Sequence, residues 1–162
     1  MTEEPSTSPA TSTLEIRRFV SEPIAAVGDA VSNWAAEVLL NAGYTADVLY
    51  LATNEAGVRE SMAFWAAAQQ SGLAFATPGA FPWTLANSPA GRISVVLNMT
   101  GPCTTLLGEG AWAEAVASAR ADVLAGTASS VLVVRLDPRT PTRDGRLATT
   151  QWELAVAVVG PD

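Results

Sequence analysis

Very few side chains in this sequence can carry out acid–base or nucleophilic chemistry near neutral pH. Histidine is absent, Cys103 is the single cysteine, and all nine basic residues are arginine. Histidine is the usual general base near neutral pH and the commonest metal ligand. Ser-His and Cys-His catalysis are therefore impossible within this chain, and one cysteine cannot complete a Cys/His zinc site. We accordingly expect no metal and no cofactor.

The side chains left for such chemistry are one thiol, Cys103, and 16 carboxylates, among them Glu109. A lone cysteine at the start of a predicted strand is more often buried than reactive. Glu109 precedes a predicted helix, where the helix dipole favours a carboxylate whether or not it has a chemical role. An enzyme that uses Glu109 with Ser or Thr hydroxyl groups is one hypothesis, although only carboxylates would then supply the base.

The composition is that of one globular domain with an acidic surface. The chain has 162 residues, of which 49% are apolar and 15% charged, and its net charge is −7. This length suits one domain with a hydrophobic core. No basic cluster exists beyond Arg17–Arg18, so we expect no nucleic-acid partner. No apolar run is long enough for a bilayer, no signal-peptide pattern is present, and a single cysteine fits a reducing compartment, so we expect a cytoplasmic protein without membrane contact.

Hydrophobic periodicity predicts alternating strands and helices after a polar tail. Residues 1–13 are rich in Ser, Thr, Pro and Glu and are predicted to be disordered, which leaves residues 14–162 as the folded domain. Apolar runs predict strands at Leu14–Phe19, Asp47–Thr53, Thr104–Leu107, Ser129–Leu136 and Ala148–Val159. Apolar residues at helical spacing predict helices at Pro23–Leu40, Val58–Ser71 and Ala111–Ala125.

Proline and glycine residues mark the longest connections. Ala76–Gly91 reads as loop and turns before a short helix, and Asp137–Leu147 reads as an exposed turn. Strands separated mostly by helices indicate an α/β fold, in which helices cover both faces of a sheet. Because a turn joins the last two strands, we expect the final strand to run antiparallel to its neighbour.

One stretch of the sequence resembles a motif of a known family. Residues 81–93 read FPWTLANSPAGRI and are followed by Met99-Thr100-Gly101-Pro102. They are similar to the β-ketoacyl synthase pattern FP-x-x-L-A-N-x-x-A-G-R-I, which leads to a Gly-Pro dipeptide, a strand, the nucleophilic cysteine and a helix. Within it, Asn87–Arg92 is interpreted as a turn that feeds a strand. The resemblance covers residues 14–162, most specifically 81–135, and implies the N-terminal half domain of the thiolase fold, with a five-stranded mixed sheet in the order 3-2-1-4-5.

The nucleophile position of that family holds no cysteine in this sequence. Counted from the flanking motifs, the position falls at Glu109 or Gly110, and Cys103 lies upstream at the start of the preceding strand. Ketosynthases also use two histidines from their C-terminal half, and this sequence has none. The run Gly108–Ala111 looks closer to a chain-length factor, a catalytically silent relative that pairs with an active ketosynthase and shapes its acyl tunnel. The resemblance therefore implies a vestigial site without catalytic residues.

The resemblance also implies how the chain would meet a partner. In this family the strand before the nucleophile pairs antiparallel across a twofold axis, so we expect a dimer, either a homodimer or a heterodimer with an active ketosynthase. Acyl carrier protein would be reached through that complex. The expected interface residues are Cys103, Thr104, Thr105, Leu106 and Leu107.

Two hypotheses for the function of such a subunit follow. The leading one is a non-catalytic ketosynthase-like subunit that assists an active ketosynthase, or sets its chain length, in polyketide or fatty-acid-type biosynthesis. The alternative is a stand-alone homodimer that binds an acyl chain or another hydrophobic ligand.

The helix after the nucleophile position has two different faces. Glu114, Ser118 and Asp122 form a polar stripe at i, i+4 and i+8. Two carboxylates would be costly to bury unpaired, so we expect this stripe to be exposed or covered only by a polar partner. The apolar stripe of the same helix consists of Trp112, Val116, Ala119 and Val123.

Overall fold

The chain folds around one mixed five-stranded sheet. The structure, a computed structural model, describes residues 11–21, 24–55, 57–75, 78–139 and 151–161. β2, β3 and β4 run parallel, whereas β5 is antiparallel to β4 and β1 is antiparallel to β5. The predicted α/β sheet with an antiparallel last strand is confirmed. The strands are β1 (Thr11–Ser21), β2 (Val48–Thr53), β3 (Cys103–Leu107), β4 (Val131–Arg139) and β5 (Gln151–Pro161).

The strand order differs from the order 3-2-1-4-5 that the resemblance implies, and that detail is wrong. Counted from the β3 edge, the observed order is 3-2-4-5-1. β2 pairs directly with β4, from Val48 beside Val131 to Ala52 beside Arg135, so β1 has no room between them. β1 instead forms the opposite edge, where its 11 residues pair along the whole of β5, which also has 11.

β1 begins earlier than the sequence predicts. Thr11 pairs with Pro161, so residues 11–13, predicted as part of a disordered tail, belong to the strand. The reason is the length of β5, which provides backbone partners as far as Pro161. Residues 11–13 therefore belong to β1, and the rest of the predicted tail lies outside the described residues.

Helices cover both faces of the sheet, as predicted. α1 and α3 lie on one face and α4 lies on the other. Side chains alternate along β4, so Leu132 and Val134 pack in the α1 and α3 layer while Val131 and Val133 pack against α4. Among the described residues, no helix is both long and apolar enough to cross a membrane. The helices are α1 (Ile24–Ala42), α2 (Val58–Ser71), α3 (Ser88–Val96) and α4 (Ala111–Leu124).

α2 has its predicted bounds but contributes little to the core. Ala68 is the only buried residue among those of α2 whose side chains are described. The helix packs mainly against two 3₁₀ helices, Leu73–Phe75 and Pro78–Thr84, rather than against the sheet. It is therefore attached to the side of the domain.

The segment Asn87–Arg92, interpreted as a turn that feeds a strand, instead opens α3. Pro89 lies in the first turn of this helix, where a missing backbone N–H costs nothing. Ala90 and Ile93 are buried in the layer that contains α1. Ala90 and Ile93 are three residues apart and so lie on the same side of the helix, which extends to Val96. The expected short helix therefore exists, but it begins inside the motif.

β4 continues beyond Leu136, its predicted end. Turn residues predict that Asp137 and Pro138 belong to an exposed turn, but Asp137 pairs with Glu153 of β5 and is only 6% exposed. The free-energy cost of burying this carboxylate is offset, because it accepts a hydrogen bond from the backbone N–H of Asn54. Residues 140–150, which include the rest of the predicted turn and the predicted start of the last strand, lie outside the described residues.

Candidate functional site at the turn after β3

The carboxyl ends of the parallel strands meet at one edge of the sheet, where sites in such sheets commonly lie. β2 ends there at Thr53, β3 ends at Leu107, and β4 passes with Asp137. At this edge lies a narrow crevice that leaves almost no room for the centre of a water molecule. This crevice is the candidate site, and its walls are Ala52, Thr53, Asn54, Gly108, Glu109, Ala111, Trp112, Arg135 and Asp137.

The turn between β3 and α4 forms one wall of the crevice. Gly108 has a φ of 112°, in the left-handed region that favours glycine, and its N–H donates to the carbonyl oxygen of Thr53 at 3.0 Å. Glu109 is exposed, and Gly110 immediately precedes α4. Both candidates for the nucleophile position therefore lie at the amino end of α4, beside the crevice.

Cys103 lies at the far end of β3 from this turn. It is four residues from Leu107, which is about 13 Å along a strand. The side chain is exposed, yet partial burial of the thiol raises the pKa of Cys103 above its ordinary value. A raised pKa lowers the fraction of thiolate, which is the nucleophilic form. The structure does not bring Cys103 together with Glu109 and Gly110.

An ion cluster at the base of the crevice is the part of the site that sequence analysis missed. Nε of Arg135 donates to Oδ2 of Asp137 at 2.6 Å, and its Nη1 lies 3.9 Å from Oε1 of Glu153. The backbone N–H of Asn54 donates to Oδ1 of Asp137 at 2.6 Å. Both carboxylates are buried, so their pairing offsets the cost of desolvation. The available signal is that Arg135 and Glu153 are charged residues next to the apolar runs Val131–Val134 and Leu154–Val159.

The crevice offers limited chemistry. Its walls provide one exposed carboxylate, Glu109, and the ion pair of Arg135 with Asp137. None of its wall residues is a cysteine or a histidine. Within the described ranges, no three Asp, Glu, Cys or His side chains come together as metal ligands. The arrangement can orient polar groups at the ends of the strands but supplies no strong nucleophile.

An open groove lies beside the crevice and shares Asn54 with it. Its volume of about 420 Å³ is comparable with that of ligand pockets. We name it the α2 groove, because the first half of α2 forms one side. Apolar residues dominate its lining, which consists of Asn54, Gly57, Val58, Ser61, Met62, Thr84, Ala86 and Leu107.

β3 forms one edge of the described sheet. It pairs with β2 on one side, and no strand in the described part of the chain pairs with its other side. Such an edge can accept a strand from another chain. The residues expected to form a dimer interface are exposed or half-buried along this edge: Cys103, Thr104, Thr105, Leu106 and Leu107.

The polar stripe predicted on α4 is exposed only in part, since Ser118 and Asp122 are both half-buried. Glu114 is exposed, as predicted, but Asp122 is half-buried and accepts a hydrogen bond of 2.8 Å from the hydroxyl of Tyr50. The polar stripe is therefore not free along its whole length, because Tyr50 of β2 reaches its last member. The apolar face packs on the sheet through Ala111, Ala115 and Ala119, with Trp112, Val116 and Val123 at the margin.

Comparison with solved structures finds this architecture in condensing enzymes. A chain of a ketosynthase in complex with its chain length factor, from Xenorhabdus doucetiae, is similar with a TM-score of 0.63 at 14% identity, over 87% of this chain and 62% of that chain. The fold is ketosynthase-like. The ishigamide ketosynthase/chain length factor gives a TM-score of 0.57 at 17% identity, over 69% of this chain and 35% of that chain. A tetronic acid condensing enzyme gives a TM-score of 0.53 at 19% identity, over 82% of this chain and 36% of that chain.

These similarities concern the ketosynthase-like fold and not the activity. The chain spans less than two thirds of the length of each of these three relatives, and the identities are below 20%. Comparison with models of protein families gives no match, and comparison with curated proteins gives none either. The predicted resemblance to ketosynthases and chain length factors is confirmed at the level of the fold.

Proposed function

We propose that this chain is a non-catalytic ketosynthase-like subunit that assists an active ketosynthase, or sets its chain length, in polyketide or fatty-acid-type biosynthesis. The observation that carries the proposal is the turn between β3 and α4. The resemblance puts the nucleophile there, and this sequence has Glu109 and Gly110 instead. Neither residue has a thiol, and Cys103 is at the other end of the strand.

The outer edge of β3, which no strand among the described residues covers, supports pairing with a ketosynthase. An unpaired strand edge can be completed by a strand of a second subunit. Two of the similar structures combine a ketosynthase with a chain length factor. By analogy, this chain would take the place of the silent partner in such a pair, and acyl carrier protein would reach it through the complex.

The α2 groove gives the subunit a means of limiting an acyl chain. Val58, Met62 and Leu107 line it with apolar side chains, close to the crevice at the end of the sheet. An alkyl chain that extends from the active subunit into this groove would lose contact with water. The volume of the groove would then limit the length of chain that is accommodated.

The test is an assay of the ketosynthase of the same organism with acyl- and malonyl-carrier protein, with and without this chain. The chain alone should give no condensed product above the control without protein. Added to the ketosynthase, it should increase the yield of product or change the distribution of chain lengths. Product formed by the chain alone, retained in Cys103→Ala and lost in Glu109→Gln, would replace this proposal with chemistry at Glu109.

The size and apolar lining of the α2 groove also favour a second function, a stand-alone homodimer that binds an acyl chain. The two functions differ in what the isolated protein does. Titration of the chain alone with a medium-chain fatty acid would show saturable binding in the second case. In the first case the groove is completed only by the ketosynthase, so binding should require both proteins.

A further inference from the structure

α2 is largely exposed, and the contacts that it makes with other described residues are too few to explain why the helix is stable. Its main packing is against the 3₁₀ helix Pro78–Thr84, where Oγ of Ser61 donates to the carbonyl oxygen of Thr84 at 3.1 Å. Ala68 is its only buried residue among those whose side chains are described. A helix of 14 residues is marginal in water unless an apolar face is packed. This helix therefore has an apolar face that needs a cover.

Three large apolar side chains lie in a row along that face. Val58, Met62 and Trp65 recur at i, i+4 and i+7, and they are 52%, 70% and 56% exposed. We name them the α2 stripe. Leu107, the last residue of β3, is 62% exposed and lines the α2 groove together with Val58 and Met62. The α2 stripe is therefore continuous with the edge of β3 that no described strand covers.

We propose that the ketosynthase subunit that pairs with β3 also covers the α2 stripe. The inference rests on the proposed function and specifies its interface. β3 has only five residues, whereas a stable interface buries about 800 Å² on each partner. The stripe supplies adjoining apolar area, and Trp65 is of a residue type that often dominates binding energy. A strand that pairs with β3 as far as Leu107 meets α2 at once, because both line the same groove.

Charge disfavours a second copy of this chain as the occupant of the α2 stripe. Two exposed carboxylates are close in sequence to residues that line the α2 groove, since Glu55 follows Asn54 and Glu109 is two residues beyond Leu107. The whole chain carries a net charge of −7, so self-association would bring two strongly acidic molecules together. The fitting partner has an apolar centre for the stripe and a basic rim for the carboxylates, and its affinity falls with salt.

The experiment measures binding of the full chain to the purified ketosynthase of the same organism by titration calorimetry at two salt concentrations. Met62→Asp should raise the dissociation constant by about tenfold or more, since a charge would be buried at the centre of the contact. Leu40→Asp on α1 is the matched control, because Leu40 is 80% exposed but lies on another helix. It should change the constant by less than about twofold. Circular dichroism of both free variants checks that α2 is intact.

The possible results test the role of the α2 stripe separately from the proposed function. If Met62→Asp and Leu40→Asp bind as tightly as the wild type, the α2 stripe is not part of the interface and this inference is wrong, while the proposed function stands. If the wild-type chain does not bind the ketosynthase, the proposed function itself is wrong. A dimer of the chain alone that Met62→Asp dissociates and the ketosynthase does not displace would identify a second copy as the occupant and overturn the choice made here.

Discussion

The hydroxyl of Tyr50 donates a hydrogen bond of 2.8 Å to Oδ2 of Asp122 and so joins β2 to α4. Oδ1 of the same carboxylate accepts a hydrogen bond from Oγ1 of Thr127 at 3.1 Å, just beyond the end of the helix. The pKa of Tyr50 is raised above its ordinary value, first by this hydrogen bond, then by partial burial and by the negative charge of Asp122. The pair therefore links the position of α4 to a titratable group.

The Tyr50 contribution to stability should disappear in alkaline solution. Because its pKa is higher in the folded state than in the unfolded state, the folded state holds the hydroxyl proton more tightly. The contribution is complete below the unfolded pKa of about 10 and is lost as pH rises through the raised pKa. Urea denaturation of the wild type and Tyr50→Phe from about pH 8 upward should show a difference in unfolding free energy that shrinks above about pH 10. A difference that is constant with pH would contradict this.

Asp122 should contribute to stability through Tyr50 rather than as a surface charge. Asp122→Ala should lower the free energy of unfolding by about 1 kcal/mol or slightly more, because it removes a hydrogen-bond acceptor from a half-buried site. Asp122→Asn keeps an acceptor and should cost less. Glu114→Ala, at an exposed position of the same helix, is the control and should stay within about 0.5 kcal/mol.

A double-mutant cycle identifies the partner of Asp122. If the Tyr50 bond is the main interaction, Asp122→Ala should cost much less in a Tyr50→Phe background, with a coupling energy of about 1 kcal/mol. Costs that add within about 0.3 kcal/mol would mean that Asp122 acts through Thr127 instead.

The sequence predicts the elements of this fold better than their arrangement. Periodicity is a local property, so the bounds of α2 and the start of α4 at Ala111 agree with prediction. The order of the strands depends on long-range pairing, and β1 reaches the far edge through contacts with residues about 140 positions later. The motif at Asn87–Arg92 misleads for a related reason. Its Pro and Gly residues indicate a turn locally, but burial of Ile93 continues the helix.

The candidate site can also be predicted where it depends on local sequence, but not where it depends on long-range pairing. The turn at Glu109 and Gly110 can be located from flanking motifs, because it follows a strand and precedes a helix in the sequence. The ion cluster cannot be located from the sequence, since Pro138 after Asp137 is a typical turn signal. Only the pairing of β4 with β5, together with the N–H of Asn54 just after β2, makes Asp137 a buried residue.

Gly57 should be essential for holding α2 against the domain. It has a φ of 83°, and a Cβ there would lie 2.6 Å from the carbonyl oxygen of Thr84. Gly57→Ala therefore combines backbone strain with a clash against the 3₁₀ helix, and should cost about 2–4 kcal/mol of unfolding free energy. Gly126→Ala is the matched control, because Gly126 has a φ of 70° but nothing within 4 Å of a Cβ.

The comparison isolates the contact at Thr84 from the backbone effect. Gly126→Ala should show only the strain of the left-handed conformation, about 1–2 kcal/mol. Hydrogen exchange should also rise along α2 in Gly57→Ala and stay unchanged there in Gly126→Ala. Equal losses of unfolding free energy for the two substitutions would mean that the 3₁₀ helix moves to accommodate the added Cβ and does not hold α2 in place.

Asp137 should be the residue whose loss most disturbs the crevice. Asp137→Ala leaves the backbone N–H of Asn54 without its acceptor and removes the nearer of the two carboxylates beside Arg135. Breaking a buried ion pair by removing one partner costs about 3–5 kcal/mol, so we expect a loss of that order in urea denaturation. Asp137→Asn retains an oxygen for Asn54 but not the charge for Arg135, and should give an intermediate loss.

The intermediate variant also separates the two roles of this carboxylate. The amide of Asn54 should exchange with solvent faster in Asp137→Ala than in Asp137→Asn, because only the asparagine can still accept its hydrogen bond. Glu55→Ala, at the exposed neighbouring position, controls for a general loosening of the loop. If Asp137→Ala changes the unfolding free energy by less than about 0.5 kcal/mol, as an exposed residue would, then Asp137 lies in the exposed turn that its sequence indicates and the ion cluster does not form.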